Sequence, residues 1–244
     1  MMYLMDIHCH TIASGHAYST VSEVIHEASN KGLSIVALTD HGPEMPGGPH
    51  MFYIANQRVI PKKVMGVHVL KGVEANIMDF EGALDVPDRV LKNLDLVIAS
   101  LHDKCIEPGH RDENTAAIIG AIENPLVDII GHSGNPVFPI HKEEMVLAAK
   151  KNNTLIEINN SSLGVTRKGS LVNCIEIAKL CKKYKVPVVM GSDAHIAYDV
   201  GNFDKVVEIF KDIDMPRDLI MNLWPEKFMK YLENKGKKRF ESNI

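Results

Sequence analysis

The sequence predicts an α/β fold in which seven strand–helix units close, or nearly close, into a barrel. Two observations carry this reading. The strand-like runs are apolar on both faces and each leads to a helix-period pattern, as expected of a parallel sheet covered by helices. Neither G-x-G-x-x-G nor G-x-x-x-x-G-K-[ST] occurs, so open nucleotide-binding sheets lack support. A third observation locates the site: every predicted strand but the sixth ends in His, Asp or Glu.

The elements follow in chain order. The apolar run at residues 2–5 leads into Asp6-Ile7-His8-Cys9-His10. Alternate side chains of a strand share a face, so His8 and His10 point together while Ile7 and Cys9 turn toward apolar packing. A polar turn carrying His16 precedes a helix opened by Thr20-Val21-Ser22-Glu23, a capping-box pattern, with Val21, Val24, Ile25 and Ala28 on one face and Gly32 as its stop. The second strand, 34–39, runs into Asp40-His41-Gly42. A Pro/Gly-rich loop and a helix through Asn56 and Arg58 follow. The third strand, 67–75, carries Glu74, and residues 76–86 read as a small hairpin. The fourth strand, 94–101, ends at His102, and a helix covers about 113–123. The fifth, 126–130, ends at His132, and a helix at about 142–151 leads to the sixth, 154–158, which ends in Asn159 and Asn160. Ser170 opens an amphipathic helix with Leu171, Cys174, Ile175, Ala178 and Cys181 on one face. The seventh strand, 187–190, ends in Asp193-Ala194-His195. Two or three helices through Phe210, Leu223 and Leu232 complete the chain. No repeat or low-complexity linker interrupts it, so the expectation is one domain over 1–244, with 236–244 as a charged, frayed tail.

Composition narrows the functional classes. The chain has 244 residues and a net charge of −4 with histidine neutral, which gives no nucleic-acid or anionic-membrane footprint. Cys9, Cys105, Cys174 and Cys181 form no C-x-x-C pair and read as reduced thiols of a cytoplasmic protein. The N-terminal run lacks a basic flank and is too short for a signal peptide, and no stretch approaches the ~18–20 apolar residues of a membrane span. Nothing in the sequence sets the oligomeric state.

In barrels of this kind the active site lies at the C-terminal ends of the strands. His8, His10, His16, His41, Glu74, His102, His132, Asp193 and His195 are nine candidate metal ligands, too many for one ion. A catalytic zinc takes about three protein ligands and a water, so nine residues with one bridging carboxylate suit three ions. Two ions with some residues standing behind the ligands is the alternative. Imidazole and carboxylate without thiolate suit zinc first, with manganese or iron(II) as alternatives. Asp6 and Asp40 are read as carboxylates that orient imidazoles rather than as ligands. Arg167 and Lys168, after the sixth strand, are a candidate phosphate clamp, Arg167 through its fork of donors. His26, His50, His68, His110 and His141 belong to no constellation.

In this order and spacing, His8-x-His10, His16, Asp40-His41, Glu74, His102, His132 and Asp193-x-His195 resemble the motif set of the PHP superfamily (polymerase and histidinol phosphatase). His16-Ala17-Tyr18-Ser19-Thr20, Thr39-Asp40-His41-Gly42-Pro43, Gly72-Val73-Glu74-Ala75-Asn76-Ile77, and Ile158-Asn159-Asn160-Ser161-Ser162 with Arg167-Lys168-Gly169-Ser170 are closer still to the YcdX-type PHP phosphatases. The resemblance spans essentially the whole chain. It implies a distorted (β/α)7 TIM-like barrel and a trinuclear site. One ion would lie on His8, His10, Glu74 and Asp193, a second on Glu74, His102 and His132, and a third on His16, His41 and His195. The loop from Asp103 to His110 differs in length from the family pattern, so no role carries over inside it.

The expected activity is hydrolysis of a small-molecule phosphate monoester by attack of a metal-bound hydroxide, with Glu74, Asp193 and Arg167 as the catalytic set. A PHP-type nuclease or phosphodiesterase is one alternative, disfavoured by the acidic balance. An amidohydrolase-like C–N hydrolase is another, disfavoured because Ser100 to Asp103 offers no lysine to carbamylate.

Overall fold

The computed structural model describes residues 3–164 and 166–237. In chain order its elements are β1 (Met5–Asp6), α1 (Val21–Asn30), β2 (Ile35–Leu38), α2 (Met51–Asn56), β3 (Lys63–Val64), β4 (Val67–Asn76), α3 (Asp88–Leu91) and β5 (Leu96–Ser100). These are followed by α4 (Arg111–Glu123), β6 (Ile129–Ile130), α5 (Lys142–Asn152), β7 (Leu155–Asn159), α6 (Ser170–Tyr184), β8 (Val188–Gly191), α7 (Asp204–Asp212) and α8 (Pro225–Asn234). Seven strands run parallel in the order β1-β2-β4-β5-β6-β7-β8. This is the predicted α/β architecture, a parallel sheet nearly closed into a TIM-like barrel. The sequence reading lacks β3, which pairs antiparallel with β4; two residues carry too little periodicity to be read.

Side-chain alternation sorts the core into layers. Met5, Ile35, Leu70, Leu96, Ile129, Leu155 and Val189 meet inside the ring, with Phe228 and Leu232 of α8 packed against them. Tyr231 of α8 also donates to the carbonyls of Asp128 and Asn153, just ahead of β6 and β7. Helix α8 therefore plugs the N-terminal end of the barrel and leaves the C-terminal end open for a site. On the outer faces, Val36, Leu38, Val67 and Val69 pack on Val24, Ile25 and Ala28 of α1. Val97, Ala99, Ile130, Ile156, Ile158, Val188 and Met190 pack under α4 to α7.

Strands β1 and β8 do not pair directly. Asn222 fills the seam: its Nδ2 donates to the Met5 and Met190 carbonyls at 2.9 and 2.8 Å, and its Oδ1 accepts from the Met190 amide at 2.7 Å. Its own carbonyl accepts from Leu4 at 2.9 Å. Beyond the strand ends the ring closes through His10 N–H to the Ala194 carbonyl and Asp193 N–H to the His8 carbonyl, both 2.9 Å.

Local signals formed as read at α1, where Thr20 and Glu23 make the reciprocal capping box and Gly32 follows with φ +70°. An antiparallel bridge between Ile77 and Leu84 marks the small hairpin. Three expectations are corrected. On α6 the buried stripe is Cys174, Ile177, Ala178 and Cys181, while Leu171 is exposed. Ile7 packs with Met5 inside the ring whereas Cys9 packs on the α1 side, so the alternation breaks between Ile7 and His8. Of the tail, Lys237 is buried and paired with Asp128 at 3.0 Å rather than frayed; residues 238–244 lie outside the described residues. Among the described residues no helix is long and apolar enough to cross a membrane.

Candidate metal centre

All nine predicted ligands lie at the C-terminal end of the barrel, and the two carboxylates organise them. Glu74 comes from β4, where Leu70, Glu74 and Asn76 alternate with the outward Val69, Val73 and Ala75. Its Oε2 lies 3.3 Å from His8 Nε2, 3.5 Å from His10 Nε2 and 2.9 Å from His41 Nδ1. Its Oε1 lies 2.8 Å from His132 Nε2 and 3.4 Å from His102 Nε2. Asp193 Oδ1 is 3.2 Å from His10 Nε2 and 3.8 Å from His8 Nε2. Around these, the His195 ring lies 4.4 Å from that of His10 and 4.8 Å from that of His16, and the His16 ring 5.1 Å from that of His41.

Among the described residues, three groups bring ligand atoms within 4.8 Å of one another: His8, His10 and Asp193; His41, Glu74 and His102; and His10, His41 and His195. His41 thus faces Glu74 as well as the outer histidines. His16 and His132 belong to none of the three groups, though His132 Nε2 lies 2.8 Å from Glu74 Oε1.

Hydrogen bonds behind the rings turn the ring nitrogens inward. His8 Nδ1 donates to Glu157 Oε1 at 2.7 Å, His10 Nδ1 to Ser14 Oγ at 3.0 Å, and His102 Nδ1 to Asn76 Oδ1 at 2.7 Å. With Nδ1 carrying the proton, a neutral imidazole presents its Nε2 lone pair. His8 and His10 then face each other Nε2 to Nε2 at 3.1 Å, as do His102 and His132. Lone pairs at that separation repel unless a proton or a cation lies between them. Among the described residues, His41 Nδ1, Glu74 Oε2 and Asp193 Oδ1 are buried and make no well-aligned hydrogen bond, a costly state for polar atoms, although each lies within 3.2 Å of another of these polar atoms or of His10 Nε2. The donor set and its orphaned atoms fit metal ions.

The site is also held in unusual backbone. His132 and Asp193 adopt φ of +25° and +56°, a region that non-glycine residues enter at a cost of order 1–3 kcal/mol. Each lies two residues past a parallel strand, β6 or β8, where the turn aims the side chain over the barrel.

Charge coupling agrees with this geometry. Burial alone would raise the Glu74 carboxyl, but the imidazoles of His8, His102 and His41 outweigh it and hold the group well below the usual range. Asp193 is likewise held well down, against its burial, by His8 and Arg167. Burial opposes protonation of His8, yet Glu157, Glu74 and Asp193 together raise it well above its ordinary value. Burial and the neighbouring His41 push His10 well down.

Two sequence expectations are corrected here. Asp6 accepts from the backbone of His8, Ser192 and Gly201, and Asp40 reaches His10 only through Ser14, whose hydroxyl donates to Asp40 Oδ1 at 2.7 Å. Neither carboxylate touches an imidazole; the carboxylate that orients a candidate ligand ring from behind is Glu157, on His8 Nδ1, which sequence reasoning missed. The available signal was a lone acidic residue inside the apolar run Leu155-Ile156-Glu157-Ile158. Ser14 and Asn76, which support His10 and His102, carry no such signal.

The mouth is a cleft of about 470 Å3 lined by His16, His41, Met45, His102, Lys104, Thr166, Arg167 and His195, among others. Arg167 reaches into it with Nη1 on Asp193 Oδ2 at 2.9 Å and on Ser162 Oγ at 3.2 Å. Part of its fork is therefore already committed to a candidate ligand. Lys168 is exposed, and Lys104 rather than Lys168 lines the mouth.

The fold and this histidine-rich rim define a class of metal-centred TIM-like barrel. The PHP domain matches residues 6–160 and the PHP-associated domain residues 176–223; the chain belongs to the PHP family. A Clostridium novyi protein named "Probable phosphatase" is 52% identical over 97% of both chains. A Clostridium botulinum protein of the same designation is 55% identical, again over 97% of both. Among solved structures, histidinol phosphate phosphatase from Lactococcus lactis, complexed with zinc, L-histidinol and phosphate, superposes with a TM-score of 0.56. That match is 16% identical and covers 88% of this chain and 95% of the other, a likeness of fold.

Proposed function

We propose that this protein is a metal-dependent phosphatase that hydrolyses phosphate monoesters of small molecules. The observation that carries the proposal is the position of Glu74, whose two oxygens face separate pairs of inward-turned imidazoles, His8 with His10 and His102 with His132. The PHP membership and the relatives' designation support the same reaction class.

The reading assigns three ions, zinc before manganese or iron(II). His8, His10, Glu74 and Asp193 would hold one, Glu74, His102 and His132 a second, and His16, His41 and His195 a third. Such ions supply Lewis acidity to phosphoryl oxygens and lower the pKa of water toward ~7. The chain's own residues do the remainder. Glu74 sets the spacing of the first two positions. Arg167 holds Asp193 and turns its remaining N–H groups to the mouth, where they meet a phosphate as preorganised donors. Lys104 also lines the rim, its ammonium paired with Asp103 Oδ2 at 3.1 Å. The four free cysteines support a reducing, cytoplasmic setting.

The test is elemental analysis of purified protein followed by phosphate release. The expected result is bound transition metal and turnover of p-nitrophenyl phosphate without turnover of amide or lactone substrates. Amide hydrolysis in the absence of phosphate release would overturn the assignment in favour of C–N hydrolysis.

A further inference from the structure

Glu157 lies in β7 with its side chain wholly buried. Among the described residues its one ion pair is with His8, between Oε1 and Nδ1 at 2.7 Å. Its Oε2 accepts the His132 backbone N–H at 2.8 Å and Asn159 Nδ2 at 3.1 Å. Asn159 Nδ2 in turn lies 3.3 Å from Asp193 Oδ2. One carboxylate therefore ties together β1, the turn after β6 and the turn after β8. The space for it exists only because residue 191 is glycine: a Cβ there would sit 1.9 Å from Glu157 Oε1 and 2.7 Å from His8 Cβ. A carboxylate this deep is costly to bury, and the chain spends a small residue on the neighbouring strand to admit it.

We propose that Glu157 is the positioning residue of the metal centre, fixing the ligating tautomer of His8 and the strained turn at His132 at once. This rests on the metal-centre reading above. The carboxylate accepts and never donates, so it keeps the proton of neutral His8 on Nδ1 and leaves the Nε2 lone pair facing Glu74 and His10. Because the His132 amide is a fixed donor, the second oxygen is committed to it. An amide in place of the carboxylate cannot serve both donors. In Glu157→Gln the amide oxygen goes to His132 and the NH2 faces His8, which then places its proton on Nε2 and loses its ligating lone pair.

The experiment equilibrates wild type, Glu157→Gln and His8→Ala against buffered free zinc and counts ions per chain. Loss of such an orienting partner weakens metal binding roughly ten- to a hundredfold. Glu157→Gln is expected to hold one ion fewer than wild type at limiting zinc and to regain it as zinc is raised, with the other ions retained. Release of all ions together would show a merely structural role and overturn the proposal, as would wild-type affinity in Glu157→Gln. Full metal content in His8→Ala would instead remove the metal-centre reading itself. If Glu157→Gln does not fold, Glu157→Asp, which draws both acceptors back by one methylene, is expected to weaken the ions on His8 and on His132 while the third is retained, and wild-type binding there would overturn the proposal equally.

Discussion

Arg167 Nη1 lies 2.9 Å from Asp193 Oδ2, so the residue expected to hold substrate also holds a candidate ligand. Removing it exposes two roles in one variant. Arg167→Ala is expected to raise KM for phosphate esters about 10- to 100-fold, the scale of a hydrogen bond to a charged group. It is also expected to weaken metal retention, because Asp193 in its φ +56° turn loses a partner. Steady-state kinetics and metal content on the same preparation check both.

The shared carboxylate sets a ranking among ligand variants. Glu74→Gln is expected to lose more than one ion per chain, since its two oxygens face different imidazole pairs. His8→Ala and Asp193→Ala should each lose metal and turnover together. His16→Ala should be the mildest, being outside the closest ligand groups. Metal-to-protein ratios across this series, set beside turnover, give the order.

Acid sensitivity of the metal-free protein has a definite sign. Burial holds His102 down to about 4, with Glu74 opposing, while an unfolded imidazole titrates near ~6.5. Between those values the unfolded chain binds a proton that the folded chain does not. Stability therefore falls as pH drops through that window, by about 3 kcal/mol at full extent. His8 acts oppositely: its raised value gives a contribution present below ~6.5 and lost as pH climbs through the folded value. Urea unfolding of chelator-treated protein across this range should show the fall, shallower in His102→Gln.

Away from the site, two buried contacts carry stability. Lys237→Met leaves Asp128, fully buried, without its cation; breaking such a pair costs about 3–5 kcal/mol. Removing both charges together, as Asp128→Asn with Lys237→Met, is expected to recover part of that loss. Asn222→Ala strips three side-chain hydrogen bonds from the seam, and each unmet buried group costs about 1–3 kcal/mol. Thermal melts of the three variants measure these effects.

How much was legible follows from which signals are local. Strands apolar on both faces recur seven times and six of them end in candidate ligands, so Glu74, His102 and Asp193 could be placed without any contact being known. The capping box at Thr20 and Glu23 lies within four residues and was equally plain. Asn222 was not, because an asparagine after a short apolar run looks like any loop residue until β1 and β8 are seen to lie beside it. Ile7 misled because one slip of the alternation occurs where β1 ends, and only the packing of Met5 reveals it. Glu157 sits between these cases: its charge in an apolar strand was visible, but the partner that explains it lies 149 residues earlier.

The seam at Asn222 also fixes an order of events during synthesis. Ligands come from both ends of the chain, His8 and His10 at the start and Asp193 and His195 near the close, and the side chain that joins β1 to β8 emerges later still. A nascent chain released just before residue 222 carries all twelve histidines and the two backbone bonds between residues 8–10 and 193–194, yet lacks the side chain that ties β1 to β8. Contacts of such long sequence span form late. Fragments cut short of this asparagine are therefore expected to hold metal more weakly than the whole chain, a difference that metal content of the truncated protein measures.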